Sequence, residues 1–280
     1  MFMSVVDGTS RLRKVLLCKP EFLVSAAPIN VISEQYTKPL NRDKMMQEFE
    51  SVVKAYEENG VEVVQVTSTE NMPNAVFARD FGGNVKEGYI LGHFKKSIRF
   101  LERSHYRKIM EELGIPKIAE VSEGYFEGGD FAFIDEKTLT IGVIDRTNLT
   151  GVDEIRKQLE PYGYKVYAVK ANPDYLHLDM CFNLVAPKLA IAYEAALPDD
   201  FLALLKEKGI KVIAGTEEMI FKHGYNVETL GDNRVMSLKQ NTFINDALRK
   251  EGMEVIEVDI TELLKAGGGV HCMTFPLERY

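Results

Sequence analysis

The sequence predicts an α/β protein whose chain folds as five similar units around a common axis. Five segments share one rhythm, in which a helical stretch ends at a glycine and a strand rich in Val and Ile follows. Successive glycines lie 43 to 54 residues apart, a spacing typical of radial or solenoid repeats. The five glycines are Gly60, Gly114, Gly163, Gly209 and Gly252.

Each repeated unit reads as strand, turn, strand, helix, glycine, strand. Glycine after a helix predicts a left-handed C-cap, because it adopts that conformation without a Cβ penalty. The first unit is less regular, with one early strand, RKVLLCKP, and a long loop before its helix. In the later units the strand candidates before the helix are residues 88–93, 138–143, 189–194 and 233–238.

An ordinary α/β sheet also alternates strands and helices, but the glycine at one fixed place in each unit favours a true repeat. If the units close around an axis, their equivalent loops meet at its centre. Residues that are distant in sequence would then share one pocket. No Pro/Gly/Ser-rich linker divides the chain, so residues 1–280 are predicted to form a single domain.

The composition excludes several classes of protein. The chain has 42 acidic and 34 basic residues and a net charge of −8, whereas nucleic-acid binding needs a basic face. The N-terminus lacks a signal-peptide pattern, and no run approaches the ~18 apolar residues of a membrane span. Cys18, Cys181 and Cys272 form no disulfide or metal-ligand pattern. We therefore expect a cytoplasmic protein that needs no metal, cofactor, nucleic acid or membrane.

Four strings carry the polar residues that suit catalysis. NAVFARDFGGN contains Asp80, YFEGGDF contains Glu127, YLHLDMCFN contains His177 and Asp179, and KAGGGVHCMTFPLER contains Cys272. Taken alone, the cysteine or the histidine could be an ordinary core residue. Together, a thiol nucleophile, a proton relay and carboxylates that hold a planar guanidinium favour substitution at a guanidinium carbon.

The same strings resemble the signatures of the guanidino-group-modifying enzyme superfamily, which has the pentein fold. The F-x-R-D pattern is matched by residues 77–80, E-G/A-G-D by 127–130, H-L/V-D by 177–179 and G-G-G-x-x-C-M/I-T/S by 267–274. All four occur in family order and span most of the chain. The resemblance implies a single catalytic domain, a pentein-type α/β propeller of five ββαβ modules around a pseudo-fivefold axis.

The resemblance also implies a role for each of these residues. Cys272 resembles the nucleophile, which forms a covalent thiouronium-type intermediate. His177 resembles the general acid that protonates the departing amine and then the base that activates water. Asp80 and Glu127 resemble carboxylates that hold the guanidinium, and Asp179 resembles an acid that either binds the guanidinium or orients His177.

Two arginines resemble residues that clamp a substrate α-carboxylate in dimethylarginine hydrolases. They are Arg99, in KKSIRFLE, and Arg146, in IDRTNLTG. Their presence favours an amino-acid substrate over agmatine, which has no carboxylate. Residues 28–39 are a candidate lid, by analogy with family members that close a loop from near the N-terminus.

The predicted function is a hydrolase acting on arginine or a methylated arginine, giving citrulline plus ammonia or methylamine. The string H-L-D replaces the H-L-K usual in dimethylarginine hydrolases and suits an unsubstituted guanidinium, as in arginine deiminase. The chain is shorter than bacterial arginine deiminases, however. The alternatives are a citrulline (ureido) hydrolase, an amidinotransferase and, with least support, a non-catalytic binding module. The expected partner is a small arginine-like molecule, and a homo-oligomer is left open.

Overall fold

The computed structural model describes residues 4–24, 33, 36 and 38–280. Within these residues, fifteen strands form five three-stranded sheets. In each sheet the middle strand pairs antiparallel with one neighbour and parallel with the strand that follows a helix. This ββαβ unit is the one predicted from the sequence. Most of the candidate lid, residues 28–39, lies outside the described residues.

The elements follow the chain in the order of the units. The first unit contains β1 (Leu12–Cys18), α1 (Arg42–Glu58) and β2 (Glu62–Val66). The second contains β3 (Gly82–Val85), β4 (Gly88–Leu91), α2 (Phe100–Glu112) and β5 (Lys117–Glu120). The third contains β6 (Phe131–Asp135), β7 (Thr138–Gly142), α3 (Leu149–Leu159) and β8 (Lys165–Val169).

The fourth unit contains β9 (Phe182–Ala186), β10 (Leu189–Ala192), α4 (Asp199–Glu207) and β11 (Lys211–Ala214). A short helix, α5 (Glu218–Phe221), leads to the fifth unit. That unit contains β12 (Glu228–Gly231), β13 (Arg234–Leu238), α6 (Thr242–Lys250) and β14 (Glu254–Val258). The chain continues through α7 (Glu262–Lys265), α8 (Val270–Met273) and β15 (Phe275–Arg279).

Local sequence signals set the ends of the helices. The side chain of Asn41 accepts a hydrogen bond from the Lys44 backbone N–H at 3.1 Å, and Asn148 caps α3 in the same way. All five repeat glycines have positive φ, between 65° and 83°, which confirms the predicted left-handed caps. No helix in the described part of the chain is long and apolar enough to cross a membrane.

The C-terminus completes the first unit. Strand β15 pairs antiparallel with β1, with Phe275 opposite Leu16 and Arg279 opposite Leu12. It takes the place that β3, β6, β9 and β12 occupy in the other sheets. The first unit therefore showed only one early strand in the sequence because its partner strand comes from the far end of the chain.

These first strands contact one another in a closed ring around the axis. The Asn84 side chain in β3 donates to the Pro276 carbonyl in β15 at 3.1 Å, and Gly83 lies against the ring of Phe131 in β6. Strand β6 contacts β9. Between β12 and β9, the Thr229 hydroxyl donates to the Val185 carbonyl at 2.9 Å. Because the ring closes, the segments that lead into these strands lie around one centre.

A buried ion pair network ties three of these strands together. Glu228 at the start of β12 contacts Arg279 in β15 through Oε1 at 2.7 Å and Arg79, just before β3, through Oε2 at 2.6 Å. All three side chains are buried. One carboxylate thus pairs with two guanidinium groups that are largely shielded from water.

Replacing Glu228→Ala should lower the free energy of unfolding by about 3 to 5 kcal/mol, because two buried cations lose their counter-charge. Urea denaturation followed by circular dichroism measures the change. The control is Glu218→Ala, since this exposed glutamate pairs only with exposed Lys222 among the described residues, and its loss should leave the midpoint nearly unchanged. A loss below about 1 kcal/mol for Glu228→Ala would contradict the assigned role of the network.

Candidate active site

The candidate site is formed by the five segments that immediately precede the first strands. Three are single 3-10 turns, Ala78–Phe81, Gly128–Asp130 and Leu178–Met180. The fourth is the loop before β12, and the fifth is helix α8 before β15. The residues that they bring together are Asp80, Glu127, His177, Asp179, Asn226, His271 and Cys272. The catalytic and binding roles given to them from the sequence stay predictions.

Asn226 fixes the position of Cys272. Its side-chain nitrogen lies 3.0 Å from Cys272 Sγ and 3.0 Å from Asp179 Oδ2. Its side-chain oxygen accepts from the backbone N–H groups of His271 and Cys272, at 3.1 and 3.3 Å. A Cβ on Gly269 would lie 2.5 Å from that oxygen, so this glycine of the G-G-G run is needed for the close approach.

The surroundings of Cys272 favour the protonated thiol. Burial raises its pKa well above the ordinary value, and the negative charges of Asp179 and Asp80 raise it further. The side chain of Cys272 is 7% exposed, and Sγ lies 3.5 Å from Asp179 Oδ2. A cation placed between these carboxylates would cancel their effect and stabilise the thiolate.

His177 is a charged imidazolium at neutral pH. Burial by itself would lower its pKa, but Asp80, the hydrogen bond to Glu127 and the charge of Asp130 raise the pKa to about 10. Nε2 lies 3.0 Å from Glu127 Oε2, and Nδ1 lies 3.7 Å from Asp80 Oδ1. Asp130 also accepts from the Leu178 backbone N–H at 2.9 Å, which holds the turn that carries His177. The group can therefore donate a proton to a departing amine.

Two carboxylates of the site each have one oxygen that accepts no hydrogen bond within the described part of the chain. Among the described residues, neither Asp80 Oδ1 nor Asp179 Oδ1 has a hydrogen-bond partner, although both are buried. Their other oxygens are held, Asp80 Oδ2 by Arg99 at 2.5 Å and Asp179 Oδ2 by His271 at 2.8 Å. A buried acceptor without a donor is costly, and these two atoms can accept hydrogen bonds from N–H groups.

Glu127 differs from these two acids because both of its oxygens have partners. Oε2 faces His177, and Oε1 accepts from the Lys95 backbone N–H at 3.2 Å and lies 3.6 Å from Arg146 Nη1. Burial would raise its pKa, but His177, Arg99 and Arg146 lower it, so Glu127 is ionised. Glu127 is thus the acid that forms a hydrogen bond with His177. Asp179 instead contacts His271 and Asn226.

Arg99 is directed towards groups of its own chain. Its side chain is 2% exposed, and all three of its guanidinium nitrogens donate to groups of this chain. Its role as a direct clamp for a substrate carboxylate stays a prediction. Arg146 is also buried, with Nε 2.7 Å from Asp145 Oδ2, and its role as a clamp stays a prediction.

Asp80, Glu127 and His177 are the group among the described residues whose ligand atoms could surround a metal ion, since these atoms lie within 4.8 Å of one another. The electrostatics of the group disfavour such an ion. His177 carries a proton at neutral pH, and Arg99 Nη1 lies 2.5 Å from Asp80 and 3.9 Å from Glu127. These two positive charges would repel a metal ion bound between the three side chains.

The sequence reasoning did not select Asn226 or assign a role to His271. Asn226 carried a detectable signal, because it precedes the first strand of the fifth unit at the position that corresponds to the four selected strings. His271 stands next to Cys272 in the fourth string, but its contact with Asp179 depends on the fold.

The sequence matches one known protein family and several individual proteins over much of its length. Residues 20–279 match the family described as N,N dimethylarginine dimethylhydrolase, eukaryotic. An uncharacterized Bacillus subtilis protein, YkgA, is 30% identical over 269 residues, which are 96% of this chain and 92% of YkgA. Arginine deiminase of Streptococcus uberis is 25% identical, and the match covers 74% of this chain but only 61% of the deiminase.

Solved structures share the fold. The N-terminal domain of ArgZ, a cyanobacterial arginine dihydrolase, superposes with a TM-score of 0.86 at 22% identity, covering 95% of this chain and 98% of that domain. The ternary complex of AgrE with ornithine and NAD+ gives 0.85 at 23% identity, over 95% of this chain but 39% of AgrE. SxtG, an amidinotransferase from Microseira wollei, gives 0.84 at 18% identity, over 99% and 97% of the two chains.

These structural likenesses show the fold, and the family match extends over most of the sequence. The order of the four strings and the five ββαβ units agree with it. The chain therefore belongs to the dimethylarginine dimethylhydrolase family, within the pentein superfamily of guanidino-group-modifying enzymes.

Proposed function

We propose that this chain is a cytoplasmic, cysteine-dependent hydrolase that converts arginine to citrulline and ammonia within a single catalytic domain. The observation that carries the proposal is a pair of buried carboxylates around the thiol of Cys272, Asp80 and Asp179, whose Oδ1 atoms accept no hydrogen bond from the described residues. Two carboxylate oxygens that lack donors match the N–H groups of a guanidinium. A cationic ligand would also offset the negative charge that these acids bring into the buried site.

In the first half-reaction, the bound guanidinium cation offsets the two aspartates, and the Cys272 thiol releases its proton to water. The thiolate attacks the guanidinium carbon and forms a C–S bond. His177, held by Glu127, gives its proton to one terminal nitrogen, which leaves as ammonia when its C–N bond breaks. The product of this step is a covalent thiouronium on Cys272.

In the second half-reaction, neutral His177 takes a proton from water, and the hydroxide attacks the same carbon. The C–S bond of the resulting adduct then breaks as its C–O bond becomes the ureido carbonyl, and the hydroxyl proton of the adduct passes to the departing thiolate. The ureido product of arginine is citrulline. Asp80 and Asp179 keep the planar group fixed through both steps, which places its carbon near Sγ.

The hydrogen-bonding needs of the two aspartates favour arginine over asymmetric dimethylarginine. Both terminal nitrogens of arginine carry hydrogens, whereas one terminal nitrogen of the dimethylated substrate carries none. That substrate would leave one buried oxygen unpaired, and sites built for an N–H group discriminate strongly against ligands that lack it. A methylated arginine is therefore the second candidate, supported by the family match.

We expect purified protein to release citrulline and ammonia from L-arginine, with kcat/KM at least tenfold higher than for asymmetric dimethylarginine. Citrulline and ammonia are measured by colorimetric assay, with Cys272→Ala as the inactive control. Agmatine and L-citrulline are tested in parallel. Release of dimethylamine with no turnover of arginine would contradict the preference for arginine. Ornithine formed from citrulline would show a ureido hydrolase instead of the proposed enzyme. Amidino transfer to an added amine would show an amidinotransferase.

Cys272 of the ligand-free protein should react slowly with iodoacetamide at pH 8, because its thiol is protonated. Replacing Asp179→Asn removes one of the charges that raise the thiol pKa, so more of Cys272 is thiolate and the alkylation rate should rise roughly tenfold. Mass spectrometry of the Cys272 peptide measures the rate.

The matched control for this experiment is Asp174→Asn, an exposed carboxylate five residues earlier in the same segment. This change should leave the alkylation rate unaltered. Buried Cys18 and Cys181 supply the background, which the Cys272→Ala protein measures. A rate that falls or stays constant in Asp179→Asn would show that Asp179 does not govern the thiol.

A further inference from the structure

A buried cation lies directly behind the carboxylates of the site. Arg99 stands at the start of α2, and its Nη1 contacts Asp80 Oδ2 at 2.5 Å and lies 3.9 Å from Glu127 Oε2. The contact holds one oxygen of Asp80 and leaves Oδ1 without a partner among the described residues. Arg99 thus determines which oxygen of Asp80 is presented to a ligand.

The rest of the chain prevents Arg99 from turning away. Its Nη2 donates to the carbonyls of Phe77 and Asn74, at 3.1 and 3.3 Å, and its Cζ lies 4.4 Å from the centre of the Phe94 ring. Glu102, three residues later on α2, accepts from Nε at 3.0 Å and from Nη2 at 2.7 Å. The side chain of Glu102 is 0% exposed, so this pair is closed to water.

The charge of Glu102 has a consequence for ligand binding. An unopposed Arg99 cation would neutralise Asp80 and repel a guanidinium that approaches Oδ1. Glu102 places a carboxylate on the opposite side of Arg99 and offsets that charge. Burial raises the pKa of Glu102 to about 7 although Arg99 lowers it, so Glu102 carries its negative charge mainly at pH values above 7.

We propose that Arg99 and Glu102 form a positioning pair for the cation site. Arg99 orients Asp80 so that its Oδ1 faces the substrate. Glu102 preserves the negative charge that Asp80 offers to the substrate. Neither residue contacts the reacting atoms. The inference rests on the proposed function and deepens it, because it assigns to Glu102 the discrimination between a cationic guanidinium and a neutral ureido group. Substrate would thus be retained and product released partly through a residue on α2.

The test measures binding of L-arginine and L-citrulline by calorimetry in the inactive Cys272→Ala protein. Adding Glu102→Gln keeps the size of the side chain but removes its charge. Affinity for the cation should fall on the order of tenfold, whereas affinity for the neutral ligand should change less than about twofold. The ratio of the two affinities is the readout, since a purely structural defect would weaken both ligands alike.

The control variant is Glu111→Gln, an exposed glutamate on the same helix that pairs only with Arg107 among the described residues. It should leave the ratio unchanged. Glu102→Asp keeps the charge and should hold the ratio within about threefold of the parent protein. Circular dichroism checks that each variant is folded.

Equal losses for both ligands, or no loss for either, in Glu102→Gln would overturn the proposal. A tenfold shift of the ratio in Glu102→Asp would also overturn it, even if Glu102→Gln failed to fold. If the Cys272→Ala parent binds neither ligand, the proposed function itself fails and the positioning pair with it. That outcome is recognised before any change is made at Glu102.

Discussion

The antiparallel pairing of β15 with β1 is the interaction on which the rest of the site depends. It joins the two ends of the described chain, completes the first sheet and closes the ring of first strands. It also carries α8, with Cys272, to the turns that hold Asp80, Glu127 and His177. Without this closure, Cys272 would not be held beside the carboxylates and the histidine. The Glu228 network, which ties β12 to β15 and to the turn before β3, stabilises the closure from inside the ring.

A second constraint is electrostatic. The site buries several acids around a thiol, and each acid has at least one positively charged or histidine partner. Arg99 holds Asp80, His177 and Arg146 hold Glu127, and His271 holds Asp179. In this state the thiol is protonated and the imidazole is charged, so the pair is inert. A cation that fills the remaining acceptors would change both conditions at once, and binding would thereby activate the nucleophile.

Much of this could be predicted from local sequence. The helix-ending glycines indicated five units because a left-handed C-cap has a strong residue preference, and the polar strings marked four of the five convergent turns. The remaining segment, the loop before β12, was not selected because Asn226 does not titrate and matches no catalytic pattern. The origin of the missing first strand was hidden because Leu12–Cys18 and Phe275–Arg279 pair across almost the whole chain. The direction of Arg99 was also hidden, since the spacing to Glu102 predicts a contact but not the burial that turns both inward.

The central claim is that Cys272 attacks a guanidinium carbon held by Asp80 and Asp179. Acid quenching of the enzyme during turnover of L-arginine, followed by mass spectrometry of the Cys272 peptide, tests it most directly. The account predicts an added mass equal to arginine less ammonia on Cys272, which is absent from Asp80→Asn and Asp179→Asn proteins. Steady citrulline formation with no adduct on Cys272, under conditions where a slow second half-reaction would trap one, would contradict it.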